Sequence, residues 1–161
     1  MRESILNLLE KDARLSAVEI AERLGLSAAE VAAEIRSMED ERVICGYQTL
    51  VNWDKTETVP VTALIEVKVT PQRGMGFDKI AERIYLFDEV KAVYLMSGGF
   101  DLTVILEGKT LREVALFVSE KLAPLDSVLS TATHFVLKKY KDHGIIMERA
   151  AGHDERLLVS P

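Results

Sequence analysis

Two helix-start signals of the same kind, eleven residues apart, constrain this chain more than any other feature. They are Ser16-x-x-Glu19 and Ser27-x-x-Glu30, the pattern in which a serine side chain accepts from a free backbone N–H while the glutamate reaches back to the cap. Gly25 lies between them and ends the first helix. That helix is expected to bury Val18 and Ala21 with Ile20 and Leu24, and the second to turn Val31, Ile35 and Met38 inward. Upstream, Ile5, Leu8 and Leu9 recur at helical spacing, Leu6 widens the stripe, and Arg14-Leu15 breaks it. Ala17, Ala21, Ala28 and Ala29 are small enough for the two capped helices to cross closely. Two capped helices around a short glycine-containing turn form the helix-turn-helix pattern. The same pair also suits a plain helical hairpin packed in a core, and the capping boxes leave both open. Val43-Ile44-Cys45-Gly46-Tyr47 then turns β-branched and aromatic, which predicts a strand or wing, with Cys45 as a small core residue.

Asn52 to Thr58 is polar and irregular and Pro60 closes it, so the clearest domain boundary falls here. From Val61 to Thr70 apolar and polar residues alternate, with Val61, Ala63, Ile65, Val67 and Val69 on one face of a strand. Pro71 and the Gly74/Gly76 pair turn the chain into an amphipathic helix marked by Phe77, Ile80, Ala81 and Ile84. Val90–Met96 and Leu102–Leu106 read as paired strands joined by Ser97-Gly98-Gly99-Phe100-Asp101. Thr110-x-x-Glu113 is a third capping box, opening a helix with Leu111, Val114, Ala115, Val118 and Leu122 inward, and Pro124 ends it. Ser127 to Lys139 predicts a last long strand. The order β-α-β-β-α-β is the ferredoxin-like split motif, so the class is α+β. Two helices cover one face of such a sheet; a partner subunit is the simplest cover for the other.

The bulk numbers exclude several classes. With 161 residues, 48% hydrophobic and 29% charged, the chain can build one large or two small packed domains. Its longest apolar runs, such as Val114–Val118, fall far short of the roughly 20 residues of a membrane span. Met1-Arg2-Glu3-Ser4 leads straight into an amphipathic pattern, so no secretory leader and a cytoplasmic location are expected. A lone Cys45 offers neither a disulfide nor a zinc site. His134, His143 and His153 follow no metal-ligand spacing, and no cofactor motif is present. Asp101 and Glu107 make no acid/base pair, and Trp53 reads as packing for the linker. The basic, aromatic run Lys138 to His143 reads as a solvated end, and Leu157-Leu158-Val159 as a tail that docks on a neighbouring subunit or stays mobile.

Charge argues the other way from the helix-turn-helix. Net charge is −6. Through Asp54, six basic side chains (Arg2, Lys11, Arg14, Arg23, Arg36, Arg42) face eleven acidic ones, an excess of five. Nucleic-acid modules usually carry a basic face, because phosphate neutralisation supplies most non-specific affinity.

The residues that settle the balance run in order along almost the whole chain. They are Ile5-Leu6 with Leu9, Asp12-Ala13-Arg14-Leu15-Ser16, Glu19-Ile20-Ala21, Leu24-Gly25-Leu26-Ser27, Val31, Ile35, Val43-Ile44-x-Gly46-Tyr47, and Gly98-Gly99-Phe100-Asp101-Leu102. In this order and spacing the chain resembles the Lrp/AsnC family of feast/famine regulators. The resemblance implies a winged helix-turn-helix DNA-binding domain (1–50), a linker (51–60), a ferredoxin-like, RAM/ACT-like ligand-sensing and oligomerisation domain (61–142) and a C-terminal tail (143–161). It implies double-stranded DNA and a small amino-acid-like effector as partners, a homodimer or octamer as the assembly, and no enzymatic activity. On the DNA side, Ser27, Ala28, Ala32 and Arg36 are the candidate groove readers, by hydroxyl, methyl and guanidinium contacts. On the effector side, Gly98 and Gly99 expose backbone N–H groups to a carboxylate beside Phe100, and Asp101 meets an ammonium group. Thr131 and Thr133 are polar additions from the last strand. Taken by itself, the same turn also reads as a hairpin with an Asp bonding its own backbone.

Two departures bear on function. Where the family's recognition helix usually carries several Arg or Lys residues, this one has Ala32, Ala33 and Glu34, leaving Arg36 as the one basic residue between Ser27 and Glu41. The usual Gly before Val43-Ile44 is Arg42. Loss of two or three phosphate contacts costs roughly tenfold or more in affinity at moderate salt, which multivalent binding by an oligomer partly recovers. A second reading is therefore a metabolite-binding oligomer whose helix-turn-helix is degenerate and acts through protein partners. A third, an enzyme with the two-domain plan of the siroheme decarboxylases, stands last: the chain lacks an Arg-rich run after Val43-Ile44 and keeps the sensor-like turn.

Overall fold

The structure is a computed structural model that describes residues 1–70 and 76–148. The expected turn at Pro71 and Gly74, His153, and the tail segment Leu157-Leu158-Val159 lie outside the described residues. The chain divides between Val51 and Asn52 into two units.

The first unit holds α1 (Arg2–Lys11), α2 (Ala17–Leu24) and α3 (Ala28–Asp40). Both capping boxes close. Ser16 Oγ accepts from Glu19 N at 3.3 Å while Glu19 Oε2 accepts from Ser16 N at 2.8 Å; at Ser27 the same pair measures 3.2 and 3.0 Å. Four orphan donors are thereby satisfied at the two helix starts. Gly25 takes φ +67° to end α2, a left-handed conformation that glycine adopts without a Cβ clash. Ile5, Leu9, Ile20, Ala21, Val31 and Met38 form the core, and each large aliphatic side chain so buried contributes about 1.5–3 kcal/mol.

Two expectations here are corrected. Val18 is 55% exposed, because it lies about 200° around α2 from Ile20, which with Ala21 points inward. Cys45 is exposed too, and residues 43–47 form no ladder. The N–H groups of Val43 and Ile44 both turn back to Met38 O (2.8 and 3.0 Å), which closes the helix end, and no strand of this unit stands beside the segment.

In the second unit a 3-10 turn (Trp53–Lys55) leads to β1 (Val61–Val69), α4 (Asp78–Tyr85), β2 (Val90–Leu95), β3 (Leu102–Gly108), α5 (Leu111–Phe117, continued as a π-helical turn over Val118–Leu122) and β4 (Val128–Phe135). The sheet order is β2-β3-β1-β4, antiparallel throughout, the expected split βαββαβ plan. Ala63, Ile65 and Val67 of β1 with Leu102, Val104 and Leu106 of β3 line one face and pack with Ile80, Ile84, Val114, Phe117 and Leu122 of the helical segments. The other face carries Leu64 and Glu66 of β1, opposite Ile105 and Thr103 on β3 and His134 and Ala132 on β4. His134 Nε2 lies 3.3 Å from Glu66 Oε1 there.

Three details differ from the sequence pattern. Leu111 is 58% exposed and Ala115 also faces out, while Phe117 is buried. The inward stripe is Val114, Phe117, Val118 and Leu122. The third capping box is half formed: Thr110 Oγ1 accepts from Glu113 N at 3.1 Å, but Glu113 Oε2 turns to Lys109 N at 2.7 Å. Strand β4 ends at Phe135 rather than Lys139, since its partner β1 begins at Val61 and the last rung is Val136 N to Thr62 O. Beyond it, β5 (Lys141–Asp142) and β6 (Ile145–Ile146) form a small hairpin around His143 and Gly144, both at positive φ (+43° and +81°).

Candidate functional site

Helix α3 is held to the core by Val31 and Met38, with Ile35 half-buried. The helical repeat then sends Ala29, Ala33, Arg36 and Asp40 outward, and all four are exposed. Of the sequence-based candidates, Arg36 stands on this outward face, its Nε donating to Ala32 O at 3.3 Å. Ala28 and Ala32 lie on the flank and are half-buried. Ser27 is the cap itself: besides accepting from Glu30 N, its hydroxyl donates to Glu30 Oε2 at 2.7 Å. Sequence reasoning missed Ala29 and Ala33, although the phase fixed by Val31 and Met38 points to them. The first turns of the outward face thus present methyl groups, and one guanidinium follows.

Six of the acidic residues of this unit, Asp12, Glu19, Glu30, Glu34, Glu39 and Glu41, are engaged within it. Bonds to the Ser16 backbone and hydroxyl hold the Glu19 carboxyl below its usual range, and the Ser27 hydroxyl and backbone do the same for Glu30. The Arg2 guanidinium, with help from Ser37, lowers Glu41 to about 2. Asp12 is lowered by Arg14. Tyr47 donates its hydroxyl to Glu39 Oε1 at 2.8 Å; burial, then this bond, raises its phenol above the usual value.

In the second unit, the turn between β2 and β3 closes with Met96 N to Asp101 O at 2.8 Å, and Asp101 N donates to Val67 O at 3.0 Å. Gly98 has φ +146°, a region that side-chain-bearing residues rarely adopt. Asp101 does not bond its own turn by its side chain. Its Oδ2 accepts from Val69 N at 2.9 Å, beside the bulge between Lys68 and Val69. The carboxylate therefore continues the β1–β3 ladder one rung past the end of β3. No sequence signal announced this, because the bond joins residues 32 positions apart on two different strand ends.

Thr131 and Thr133 pair with Val67 and Ile65, so they share the helix-covered face and are half-buried. Thr131 occupies the same cross-sheet row as Leu102, two strands away, roughly 10 Å. Within one chain β1 separates the threonines from the glycine turn. A cleft of about 600 Å³ lies at the opposite end of the β2–β3 hairpin, floored by Leu106, Val114 and Phe117. Its Lys121 and Glu89 are paired with each other, and it touches none of the turn residues. Among the described residues no group of three or more His, Cys, Asp or Glu is placed to hold a metal ion, and no helix is long and apolar enough to cross a membrane.

Comparison with known proteins assigns both units. Residues 2–44 match the family described as winged helix-turn-helix DNA-binding, and residues 62–146 match the Lrp/AsnC ligand binding domain. The chain is 49% identical over 158 residues to YugG of Bacillus subtilis, an uncharacterised HTH-type transcriptional regulator, covering 98% of this chain and 95% of that protein. It is 29% identical over 140 residues to the leucine-responsive regulatory protein of Escherichia coli, covering 86% and 84%. In fold it is similar to a transcriptional regulator from Neisseria meningitidis solved with L-Met (TM-score 0.69, 23% identity, 88% of this chain and 90% of that one). Two domain matches in the family's order, with a relative at half identity along nearly the full length, place this chain in the Lrp/AsnC family of transcriptional regulators.

Proposed function

We propose that this regulator acts in the cytoplasm as a homo-oligomer that binds double-stranded DNA through α3, and that a small amino acid or related metabolite alters its assembly and its choice of sites. The observation that carries the reading is the head itself. Two reciprocal capping boxes and the Gly25 turn hold α2 and α3, and α3 keeps an outward face that the core does not use. The methyl groups of Ala28 and Ala32 suit thymine methyl contacts from the flank, and Arg36 suits a guanine edge or a phosphate. Ser27 contributes by fixing the start of the helix. In the sensing unit, the N–H groups of Gly98 and Gly99 beside Phe100 suit an effector carboxylate. Asp101 has lone pairs beyond the one given to Val69, which suit an ammonium group. Thr131 and Thr133, which β1 separates from the turn within one chain, are the outlying polar candidates. That a relative is named leucine-responsive and a fold neighbour was solved with L-Met supports an amino acid as the class of effector.

The acidic balance of the head favours one other reading, a metabolite-binding oligomer that acts through a protein partner. Recovery of genomic fragments by the purified protein, at low and physiological salt and with or without mixed amino acids, separates the two. Enrichment of particular fragments that changes with one amino acid and disappears in Arg36→Ala supports the regulator that binds DNA itself. No enrichment even at low salt supports the partner-mediated reading. Because effector and DNA would be coupled, DNA must shift effector affinity by the same factor as the reverse.

A further inference from the structure

One guanidinium joins the amino end of α1 to the carboxyl half of α3. Arg2 Nε donates to Glu34. Its Nη1 and Nη2 reach the two oxygens of Glu41 at 2.7 and 2.8 Å, and Nη2 also reaches Ser37 Oγ at 3.1 Å. Ser37 Oγ in turn donates to Glu41 Oε1 at 2.8 Å. Glu34, Ser37 and Glu41 recur at i, i+3 and i+7, so they form one flank of α3, beside the outward face that carries Ala33 and Arg36. The planar fork of arginine matches a carboxylate at two points; a lysine ammonium cannot reproduce it.

We propose that Arg2 is a positioning residue for DNA recognition: it ties Glu34 and Glu41 into one hydrogen-bonded array that keeps a single net negative charge instead of two, so that the flank of α3 can lie closer to phosphate. The proposal rests on the DNA-binding reading above. Helix α3 offers a single cation, Arg36, against Glu30, Glu34, Glu39 and Asp40. Its flanks must approach a polymer that carries one negative charge per roughly 1.7 Å of axis. Freed from Arg2, Glu34 and Glu41 would repel that polymer. The one cation lost with Arg2 corresponds to about one counterion-release equivalent, close to tenfold in affinity at about 0.1 M salt. Arg2 does this without touching DNA, since four of its five N–H donors are spent on α3.

The test is a set of full-length variants titrated by fluorescence anisotropy onto a labelled 40-base-pair duplex at several salt concentrations, with far-UV circular dichroism as the folding control. Arg2→Gln is expected to weaken binding about tenfold near 0.1 M salt, with the loss shrinking as salt rises, and Arg2→Lys to lose less. The double variant Glu34→Gln with Glu41→Gln is expected to bind at least as tightly as the wild type. Adding Arg2→Gln to that double variant is expected to change its affinity by no more than about twofold, because the charges Arg2 serves are gone. A triple variant as weak as Arg2→Gln alone overturns the proposal, since Arg2 would then be contacting phosphate itself or holding the fold. So does an Arg2→Gln protein that binds like wild type. If Arg2→Gln unfolds, the double and triple variants decide. A wild-type protein that binds no duplex even at low salt refutes the DNA-binding reading and the role of Arg2 with it, and the wild-type titration alone distinguishes that failure from failure of the Arg2 proposal.

Discussion

Replacing Arg42 with glycine should stabilise the first unit, and the size of the gain follows from how α3 ends. Arg42 N donates to Glu39 O at 3.1 Å and Val43 N to Met38 O at 2.8 Å. These are the two bonds of a Schellman cap, whose residue after the cap takes a left-handed conformation and is usually glycine. Arg42 sits there at φ +61°, against +67° for Gly25 at the end of α2. The same small unit thus solves one problem twice, once with the residue that fits and once with an arginine. The left-handed conformation costs a residue with a Cβ about 1–2 kcal/mol. Glycine's greater freedom in the unfolded chain takes back about 0.5–1 kcal/mol. The net gain expected is about 0.5–1 kcal/mol, and Arg42 makes no salt bridge among the described residues that would be lost. For a small domain this raises the melting temperature by about 2–8 °C. Helical circular dichroism of the full chain during urea and thermal unfolding would show it, as a higher midpoint at unchanged denaturant slope. Arg42→Ala is the control: it removes the long side chain and keeps the Cβ, so no comparable gain is expected. A gain in Arg42→Ala equal to that in Arg42→Gly, or a lower midpoint in Arg42→Gly, would refute the strain argument.

Other perturbations probe the sites directly. Glu19, Glu30 and Glu41 are all held below the ordinary carboxylate value of 4.5, Glu41 at about 2. A depressed folded value gives stability that is complete above about 4.5 and is lost as the pH falls from there toward 2. Thermal melts between pH 7 and pH 3 should show that fall, with a shallower decline in Glu41→Gln; a midpoint that holds to pH 3 would contradict it. Asp101→Ala leaves the half-buried Val69 N–H without its acceptor and should cost about 1–3 kcal/mol in urea unfolding, while Asp101→Asn keeps an acceptor there. Asparagine should therefore spare the fold yet abolish binding of an effector ammonium by calorimetry. Gly98→Ala should cost about 1–3 kcal/mol because of its φ. Gly99→Ala, whose Cβ would meet nothing within 4 Å, should stay within about 0.5 kcal/mol; equal losses at both positions would show that the turn is not conformationally demanding at Gly98.

What the sequence made legible was whatever depends on neighbours along the chain. Both serine capping boxes, the Gly25 stop, the inward residues Val31 and Met38, and the alternation from Val61 to Val69 are local patterns with a fixed period. The structure forms each of them. Reading failed where a side chain had two partners to choose from. Glu113 satisfies Lys109 rather than its own cap, and Val18 lost its place to Ile20 and Ala21. It failed again where a contact spans the fold. The bond from Val69 to Asp101 joins residues 32 positions apart, and the Arg2 array joins residues 32 to 39 positions apart. Cys45 looked like a core residue by composition, but an apolar run without a strand beside it has nothing to be buried against. The sites followed the same division. The chain order of Gly98 to Asp101 placed the turn correctly between β2 and β3, while the distance of Thr131 and Thr133 from it depends on the sheet order β2-β3-β1-β4, which periodicity does not encode.

The acidic head is less of an objection to DNA binding than its formal charge suggests, and the difference is measurable. Arg2 answers Glu34 and Glu41, and Arg14 answers Asp12. Glu19 and Glu30 are bound at the starts of α2 and α3, where the helix dipole already favours a negative charge. Among the described residues Lys11, Arg23, Arg36 and Arg42 make no salt bridge and are the cations free to meet phosphate, against Glu3, Glu10, Glu22, Glu39 and Asp40, which make none either. If all four met phosphate, the slope of log K against log salt would be no steeper than about −4 per head. Arg36→Ala should flatten it by about 1, whereas Arg42→Ala changes it only if the segment after α3 also reaches the backbone. A slope steeper than about −6 per head would mean that Arg2 and Arg14 leave their carboxylates on binding. The intramolecular pairs would then be a resting arrangement and not the DNA-bound one, and the triple-variant experiment on Arg2 would fail in the same direction.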